Sequence, residues 1–155
     1  MKGVPENLVI IGKGKNKKKL EKLAKDLEME NVIFPGFVND SKLEAYLKLS
    51  RAFILPSINR SEAFGVSLLE ASFFAKPMIS TELSTGTSFV NLHDETGLVV
   101  PPKDVKALNR AIIKFSKNDQ LCRQYGRNAK DRYYKKFLPE NTLRNYIQLY
   151  EEIIS

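Results

Sequence analysis

Short apolar runs alternate along this chain with longer stretches whose apolar residues recur every three or four positions. Leu8-Val9-Ile10-Ile11 is the first run, and Gly12 ends it. Residues 16–28 follow, with Leu20, Leu23, Ala24 and Leu27 at helical spacing. Val32-Ile33-Phe34 reads as a second strand, closed by Pro35-Gly36. Asp40 or Ser41 is positioned to cap a helix that carries Leu43, Ala45, Tyr46, Leu47 and Leu49. Ala52-Phe53-Ile54-Leu55 is a third strand, and a helix is predicted over residues 65–75 after a polar loop. Pro77-Met78-Ile79-Ser80 and Gly97-Leu98-Val99-Val100 are two further strands, with one helical turn through Phe89-Val90 between them. Asp104 then caps a helix with Leu108, Ala111, Ile112 and Phe115 on one face. Two more helices are predicted, over residues 119–136 and 139–154.

Strands of this kind, separated by helices, predict an α/β fold with a parallel sheet covered by helices on both faces. Such sheets bind ligands beyond the carboxyl ends of their strands. Attention therefore falls on the loops after Ile11, Phe34, Leu55 and Ser80. No repeat and no internal linker divides the chain, so residues 1–155 read as one domain that includes the closing helices 119–154.

Composition narrows the partners. With 155 residues, 43% hydrophobic and 28% charged, the chain reads as a soluble globular domain, and no apolar run approaches a membrane span. The formal charge of +7 favours anionic partners such as phosphates or anionic lipid. No nucleic-acid-binding signature accompanies it, so no nucleic acid is expected. Arg123, Arg127, Lys130, Arg132, Lys135 and Lys136 cluster in one predicted helix. They form either a solvated face or a surface for peripheral attachment to an anionic membrane. Cys122 is the only cysteine and His93 the only histidine, which argues against a disulfide, a zinc site or a Cys–His nucleophile. A reducing, cytoplasmic setting is compatible with that cysteine usage. There is no aspartate–any–aspartate triplet to hold a metal-bound nucleotide.

The most informative segment is Pro56-Ser57-Ile58-Asn59-Arg60-Ser61-Glu62-Ala63-Phe64-Gly65-Val66-Ser67-Leu68-Leu69-Glu70-Ala71, which leaves a strand and enters a helix. Gly65 lets a ligand approach the backbone, and the open amides of the first helical turn make an anion site. Glu70 stands among Val66, Leu68, Leu69, Ala71, Phe73, Phe74 and Ala75, which predicts a helix buried on more than one side. A carboxylate there needs donors, such as a pair of ribose hydroxyls; otherwise it lies on a solvated stripe or meets a lysine. Glu62 alone reads as an acid near a helix N-terminus. Gly12-Lys13-Gly14 could open a phosphate site but lacks the third glycine of the dinucleotide fingerprint. The lysines from Lys13 to Lys19 read as a solvated run. Ser84-Thr85-Gly86-Thr87-Ser88 either presents amides to a phosphate or forms a turn capped by Ser or Thr.

Together these segments resemble the C-terminal, donor-binding domain of the retaining GT-B glycosyltransferases of family 4 (glycosyl transferases group 1). Glu62 and Glu70 are eight positions apart, as in that family's glutamate-seven-residues-glutamate motif, with Phe64-Gly65 between them. Leu8 to Gly14, Asn31-Val32-Ile33-Phe34-Pro35-Gly36-Phe37-Val38, Leu55-Pro56-Ser57 and Glu95-Thr96-Gly97-Leu98-Val99-Val100-Pro101-Pro102 fall in the family's order.

The resemblance implies a Rossmann-like half of a GT-B fold that binds a nucleoside-diphosphate sugar without a metal cofactor. By it, Glu70 binds the ribose hydroxyls and Glu62 acts near the transferred sugar. The amides around Phe64, Gly65 and Val66 contact the sugar and phosphates. Gly36, Phe37 and Val38 lie beside the base, while Gly12 belongs to the first glycine turn and Thr85-Gly86 to the phosphate side. The Ser84–Ser88 stretch departs from the glycine-rich sequence common there in the family. The family's arginine–lysine diphosphate clamp precedes the strand at Leu8, and this chain starts at Met1-Lys2-Gly3. The clamp and the N-terminal acceptor domain are therefore expected to be absent, and residues 139–154 to be the helix that returns to that domain. The function implied is transfer of a sugar with retention to a saccharide or lipid-linked acceptor, as in bacterial surface-polysaccharide synthesis. A non-catalytic nucleotide-binding module, a GT-B-like epimerase and a phosphorylase are the alternatives.

Overall fold

A computed structural model describes residues 4–154; Met1, Lys2, Gly3 and Ser155, and with them the expectation about the start of the chain, lie outside it. The order of elements is β1 (Leu8–Ile11), α1 (Lys17–Asp26), β2 (Val32–Gly36), α2 (Asp40–Leu49), β3 (Phe53–Leu55), α3 (Val66–Phe73), β4 (Met78–Thr81), α4 (Thr87–Val90), β5 (Gly97–Val100), α5 (Val105–Ser116), α6 (Asp119–Lys136) and α7 (Pro139–Ile154). Every element read from periodicity is present.

All strand pairings are parallel, but they form two ladders rather than one. β1 pairs with β2, while β4 lies between β3 and β5. Apolar runs report that strands are buried, not which edges hydrogen-bond. Side chains join the two ladders at their entrances. Glu6, just before β1, meets Arg51 Nε at 3.3 Å, just before β3. Ser116 at the end of α5 donates to the same carboxylate at 2.6 Å. Arg51 also donates to the Phe115 carbonyl and pairs with Asp119 at the start of α6.

The three-stranded ladder carries the core. Every residue of β4 is buried, and its two-residue alternation sends Met78 and Ile79 into different layers. Met78 joins Leu68, Ala71, Val90 and Ala129 on the side of α3 and α4. Ile79 joins Leu98, Val100, Ala107, Ala111, Phe115, Cys122 and Tyr125 on the side of α5 and α6. Each of the Leu, Ile, Val, Met and Phe side chains buried here contributes roughly 1.5–3 kcal/mol. Between β4 and β5 runs a buried polar chain. Asn91 Nδ2 donates to Ser80 Oγ at 2.8 Å, and Asn91 Oδ1 accepts from Thr96 Oγ1 at 3.0 Å. Gly97 starts β5 against this chain because a Cβ there would stand 2.1 Å from the Met78 carbonyl oxygen. The Cys122 thiol is buried against the Phe115 carbonyl, and burial raises its pKa.

Three local expectations change. The cap of α2 is Asn39, not Asp40 or Ser41. Asn39 has the extended backbone a cap needs (φ −75°, ψ 170°), and its side chain accepts from the Lys42 amide at 3.0 Å. In α1 the apolar face is only partly covered: Leu20, Leu23 and Leu27 remain exposed, because a two-stranded layer offers little surface. In α3 the side buried is that of Leu68, Ala71 and Ser72, whereas Val66, Glu70 and Phe73 form an exposed stripe at helical spacing.

Candidate functional site

Two loop clusters stand beyond carboxyl ends of strands. In the first, Gly12 follows β1 and its amide donates to the Gly36 carbonyl at 2.8 Å, so the turns after β1 and β2 are tied together. Gly12 (φ +138°) and Gly36 (φ +78°) both use backbone conformations that side chains disfavour. Phe37 then projects with 66% of its surface exposed. Lys13 Nζ lies over the ring, 4.6 Å from its centroid. Val38 is half-buried beside it.

The second cluster joins the loop after β3 to the turn after β4. Gly86 N donates to the Ala63 carbonyl at 2.8 Å, and Thr85 Oγ1 donates to the Glu62 carbonyl at 2.9 Å. Arg60 Nη2 donates to the Ser84 carbonyl at 3.3 Å, and Thr81 Oγ1 holds the Ser57 carbonyl. Gly86 is required by this contact, since a Cβ would fall 2.5 Å from Phe64 Cδ2 and 2.9 Å from the Ala63 oxygen. Thus Glu62, Phe64, Gly65, Thr85 and Gly86, distant in sequence, come together.

Gly65 is the cap residue of α3, left-handed at φ +81° and ψ 58°, and no side chain bonds the amides beyond it. Among the described residues, no acceptor takes the amides of Phe64, Gly65, Val66 or Ser67. Four donors at a helix start, with the helix dipole behind them, can hold an anion.

Glu70 corrects the expectation of burial: it is exposed. The apolar letters around it misled because Val66 and Phe73, on its own stripe, are 66% and 42% exposed. Neither the Glu70 nor the Glu62 carboxylate has a side-chain partner among the described residues. A lysine partner for Glu70 is therefore not present, and the solvated stripe is where it stands in this chain alone.

Sequence reasoning missed four residues here. Glu82 does the work assigned to a Ser or Thr cap: its carboxylate accepts from the Ser84 amide at 2.7 Å and from Ser88 Oγ at 2.8 Å. An acid two residues before Ser84 and six before Ser88 is the signal that could have found it. Arg132, Phe89 and Phe137, a cluster that reaches Phe64 through Phe137, carry no such local signal. Arg132 is also the one member of the basic cluster that turns inward. Its Nη2 donates to the Phe89 carbonyl at 2.6 Å, so it leaves the solvated face. His93 is exposed as expected, though its Nδ1 accepts from the Val99 amide at 2.9 Å. Among the described residues, no three His, Cys, Asp or Glu side chains gather as a metal site would require.

The Ser84 amide and Ser88 hydroxyl hold the Glu82 carboxyl below its usual range. The Lys114 ammonium does the same for Asp94, and Arg51 for Asp119. A depressed folded pKa gives stability that is present above the unfolded value, about 4 for these groups, and lost as pH falls through the folded value. Stability of the chain is thus expected to decline as pH falls below about 4. Glu82→Gln should flatten the stability-versus-pH curve in that limb, measured by thermal unfolding between pH 5 and 3. An unchanged curve would remove Glu82 from the account.

Comparison with known proteins decides the family. The model of "Glycosyl transferases group 1" matches residues 2–132. The chain belongs to this family. It is similar to the D-rhamnosyltransferase WbpZ of Pseudomonas aeruginosa, 44% identical over 88% of this chain and 36% of that protein. It is also similar to the O-antigen chain mannosyltransferase C of Escherichia coli, 36% identical over 95% of this chain and 40% of that protein. The chain thus spans well under half the length of these relatives. Among solved structures, sucrose-phosphate synthase from Thermosynechococcus elongatus superposes with a TM-score of 0.82 at 26% identity, over 96% of this chain and 38% of that one. The C-terminal domain of a group 1 glycosyltransferase from Francisella tularensis gives 0.75 at 23%, over 86% of this chain and 70% of that one. The fold is accordingly the C-terminal half of the GT-B glycosyltransferase fold, a parallel α/β domain as expected.

Proposed function

We propose that this group 1 glycosyltransferase domain binds a nucleoside-diphosphate sugar, and that the whole protein transfers the sugar with retention to a saccharide or lipid-linked acceptor in bacterial polysaccharide synthesis. The observation that carries the reading is the joined pair of loops around Gly65 and Gly86. They offer open amides for a diphosphate, with two unpaired carboxylates, Glu62 and Glu70, on either side of Gly65 in sequence. The similarity to a rhamnosyltransferase and a mannosyltransferase supports a sugar donor.

In this reading the α3 amides and the helix dipole neutralise the diphosphate. They oppose charge that grows as the sugar–phosphate bond breaks, and this is where electrostatic preorganisation lowers a barrier. Glu70 accepts from the ribose hydroxyls, Glu62 stands toward the transferred sugar, and Phe37 with Gly36 and Val38 flanks the base. Gly12 and Thr85 shape the two turns. The acceptor is held by a separate N-terminal domain, and α7 supplies an apolar face for it. Leu143, Tyr146, Ile147, Tyr150, Ile153 and Ile154 on that helix are 50% to 82% exposed. The polar side of α7 carries Glu140, Glu151 and Glu152 against Arg144, which suits a protein partner better than an anionic lipid surface.

Nucleotide binding should persist without a divalent ion, because helix amides rather than carboxylate clusters receive the diphosphate. Loss of nucleotide binding on titration with EDTA would count against the reading.

No helix among the described residues is long and apolar enough to cross a membrane. Peripheral attachment rests on Arg123, Arg127 and Lys130, exposed on one face of α6, with Arg123 also acting electrostatically on Asp119, beside a shallow hollow of about 290 Å³ lined by Gln120, Arg123, Gln124, Arg127 and Asn128. Each such cation contributes about 1 kcal/mol near an anionic surface. Co-sedimentation with anionic vesicles should exceed that with neutral ones and fall with salt; equal binding would discard the membrane.

A further inference from the structure

Phe64 is the side chain of the donor loop that reaches back into the domain, and what it meets is unusual. Its ring packs edge-on against Phe137, with centroids 6.2 Å apart and planes at 79°. Phe137 in turn meets Phe89 edge-on at 5.7 Å. The Arg132 guanidinium lies over both of these rings, 5.1 Å from Phe89 and 5.6 Å from Phe137. One of its nitrogens, Nη2, donates to the Phe89 carbonyl at 2.6 Å. Another, Nε, is buried with no acceptor.

For filling space, an arginine is a poor choice here. A methionine of similar length would occupy the site without leaving a buried donor unsatisfied, which is costly. What the guanidinium adds is a flat, charged plate that attracts ring faces and one directed hydrogen bond. Both features fix orientation. The plate sets the rings of Phe89 in α4 and of Phe137 at the end of α6. Phe137 packs edge-on against one side of Phe64, which stays 39% exposed, and Phe64 lies directly on Gly86, where the two loops are joined.

We infer that Arg132 is a positioning residue for sugar-nucleotide binding, holding Phe64, and through it the Gly65 amides, at the junction of the two donor loops. The inference rests on the donor-site reading above for its consequence, but not for its geometry. It has a corollary. Phe137 is the C-cap of α6, and α7 begins two residues later at Pro139. The apolar helix assigned to the partner domain is therefore rooted in the same aromatic cluster that orients the donor loop, so a shift of α7 is transmitted to Gly65 through Phe137 and Phe64.

The test uses this chain with Arg132→Met, Arg132→Lys and Phe137→Leu, and Arg127→Met as a control on the solvated face. Amide hydrogen exchange is read at Gly86, which donates to Ala63, and at Leu68, which donates to Gly65. Ile79 and Leu98 report the core. Arg132→Met and Phe137→Leu should each speed exchange at Gly86 and Leu68 by about tenfold while Ile79 and Leu98 stay as they were. Arg132→Lys should recover part of the protection, and Arg127→Met should change nothing. In parallel, the affinity for UDP, GDP or ADP, whichever the wild-type chain binds, should fall by about fivefold to tenfold in Arg132→Met. If exchange rises equally at all four amides, or at none, Arg132 has no positioning role. Should Arg132→Met fail to fold, Phe137→Leu decides by the same comparison. A wild-type chain that binds none of UDP, GDP and ADP would refute the donor-site reading, while the exchange data would still decide whether Arg132 orders the loops.

Discussion

Gly97→Ala is expected to lower stability by about 3 kcal/mol, the upper range for overpacking a tight core. The added Cβ would stand 2.1 Å from the Met78 carbonyl oxygen and 2.4 Å from Asn91 Oδ1. Neither atom has room to yield. The Met78 carbonyl belongs to the fully buried central strand, and Asn91 is fixed by Ser80 and Thr96. β5 would have to move off β4 or the buried polar chain would lose a bond, and an unsatisfied buried group costs about 1–3 kcal/mol on its own. For a chain of this size, 3 kcal/mol corresponds to a fall of about 6–12 °C in Tm. Thermal unfolding of wild type and variant measures it, and a fall under about 2 °C would mean β5 is not seated as described.

Gly97 also illustrates what was legible beforehand. The strand Gly97–Val100 and the helices Asp119–Lys136 and Pro139–Ile154 were readable with their boundaries, because periodicity and the flanking Pro101 and Pro139 mark them. The two loops that form the candidate site were readable as well. The Glu62–Gly65–Glu70 spacing and the Thr85-Gly86 turn are local features, and parallel strand topology places both loops at one end of the ladder.

Orientation was not legible. Glu70 reads as buried because α3 is apolar on nearly all sides, yet exposure depends on which stripe meets β3, β4 and α6. Pairing was not legible either: nothing in Leu8–Ile11 or Phe53–Leu55 says that β1 and β3 lack a shared ladder. Arg132 reads as one more cation on a basic helix. Only the tertiary arrangement shows its neighbours to be Phe89, 43 positions away, and Phe137, contributed by the end of its own helix.

The second large effect is expected at Glu70. In the proposed complex its carboxylate accepts from two ribose hydroxyls. The α3 geometry suits this. Glu70 lies four residues beyond Val66, about 6 Å along the helix axis from the open amides, on the order of the span between a diphosphate and its ribose hydroxyls. Glu70→Gln keeps the shape but removes the charge and replaces one acceptor oxygen by a donor. Losing a charged hydrogen-bond partner should weaken nucleotide binding by about 1–3 kcal/mol, or about 5- to 150-fold. Because Glu70 is exposed and unpartnered in this chain, folding should be untouched, with stability within about 0.5 kcal/mol of wild type. Loss of affinity and loss of structure are thereby separable.

The most direct measurement is calorimetric titration of this chain and its Glu70→Gln variant with UDP-, GDP- and ADP-sugars, with melting temperatures recorded alongside. The account predicts that wild type binds one of these donors, and that the variant melts at the same temperature and binds it at least about fivefold more weakly. Equal affinity in the two proteins, or no binding of any donor by folded wild type, would contradict it.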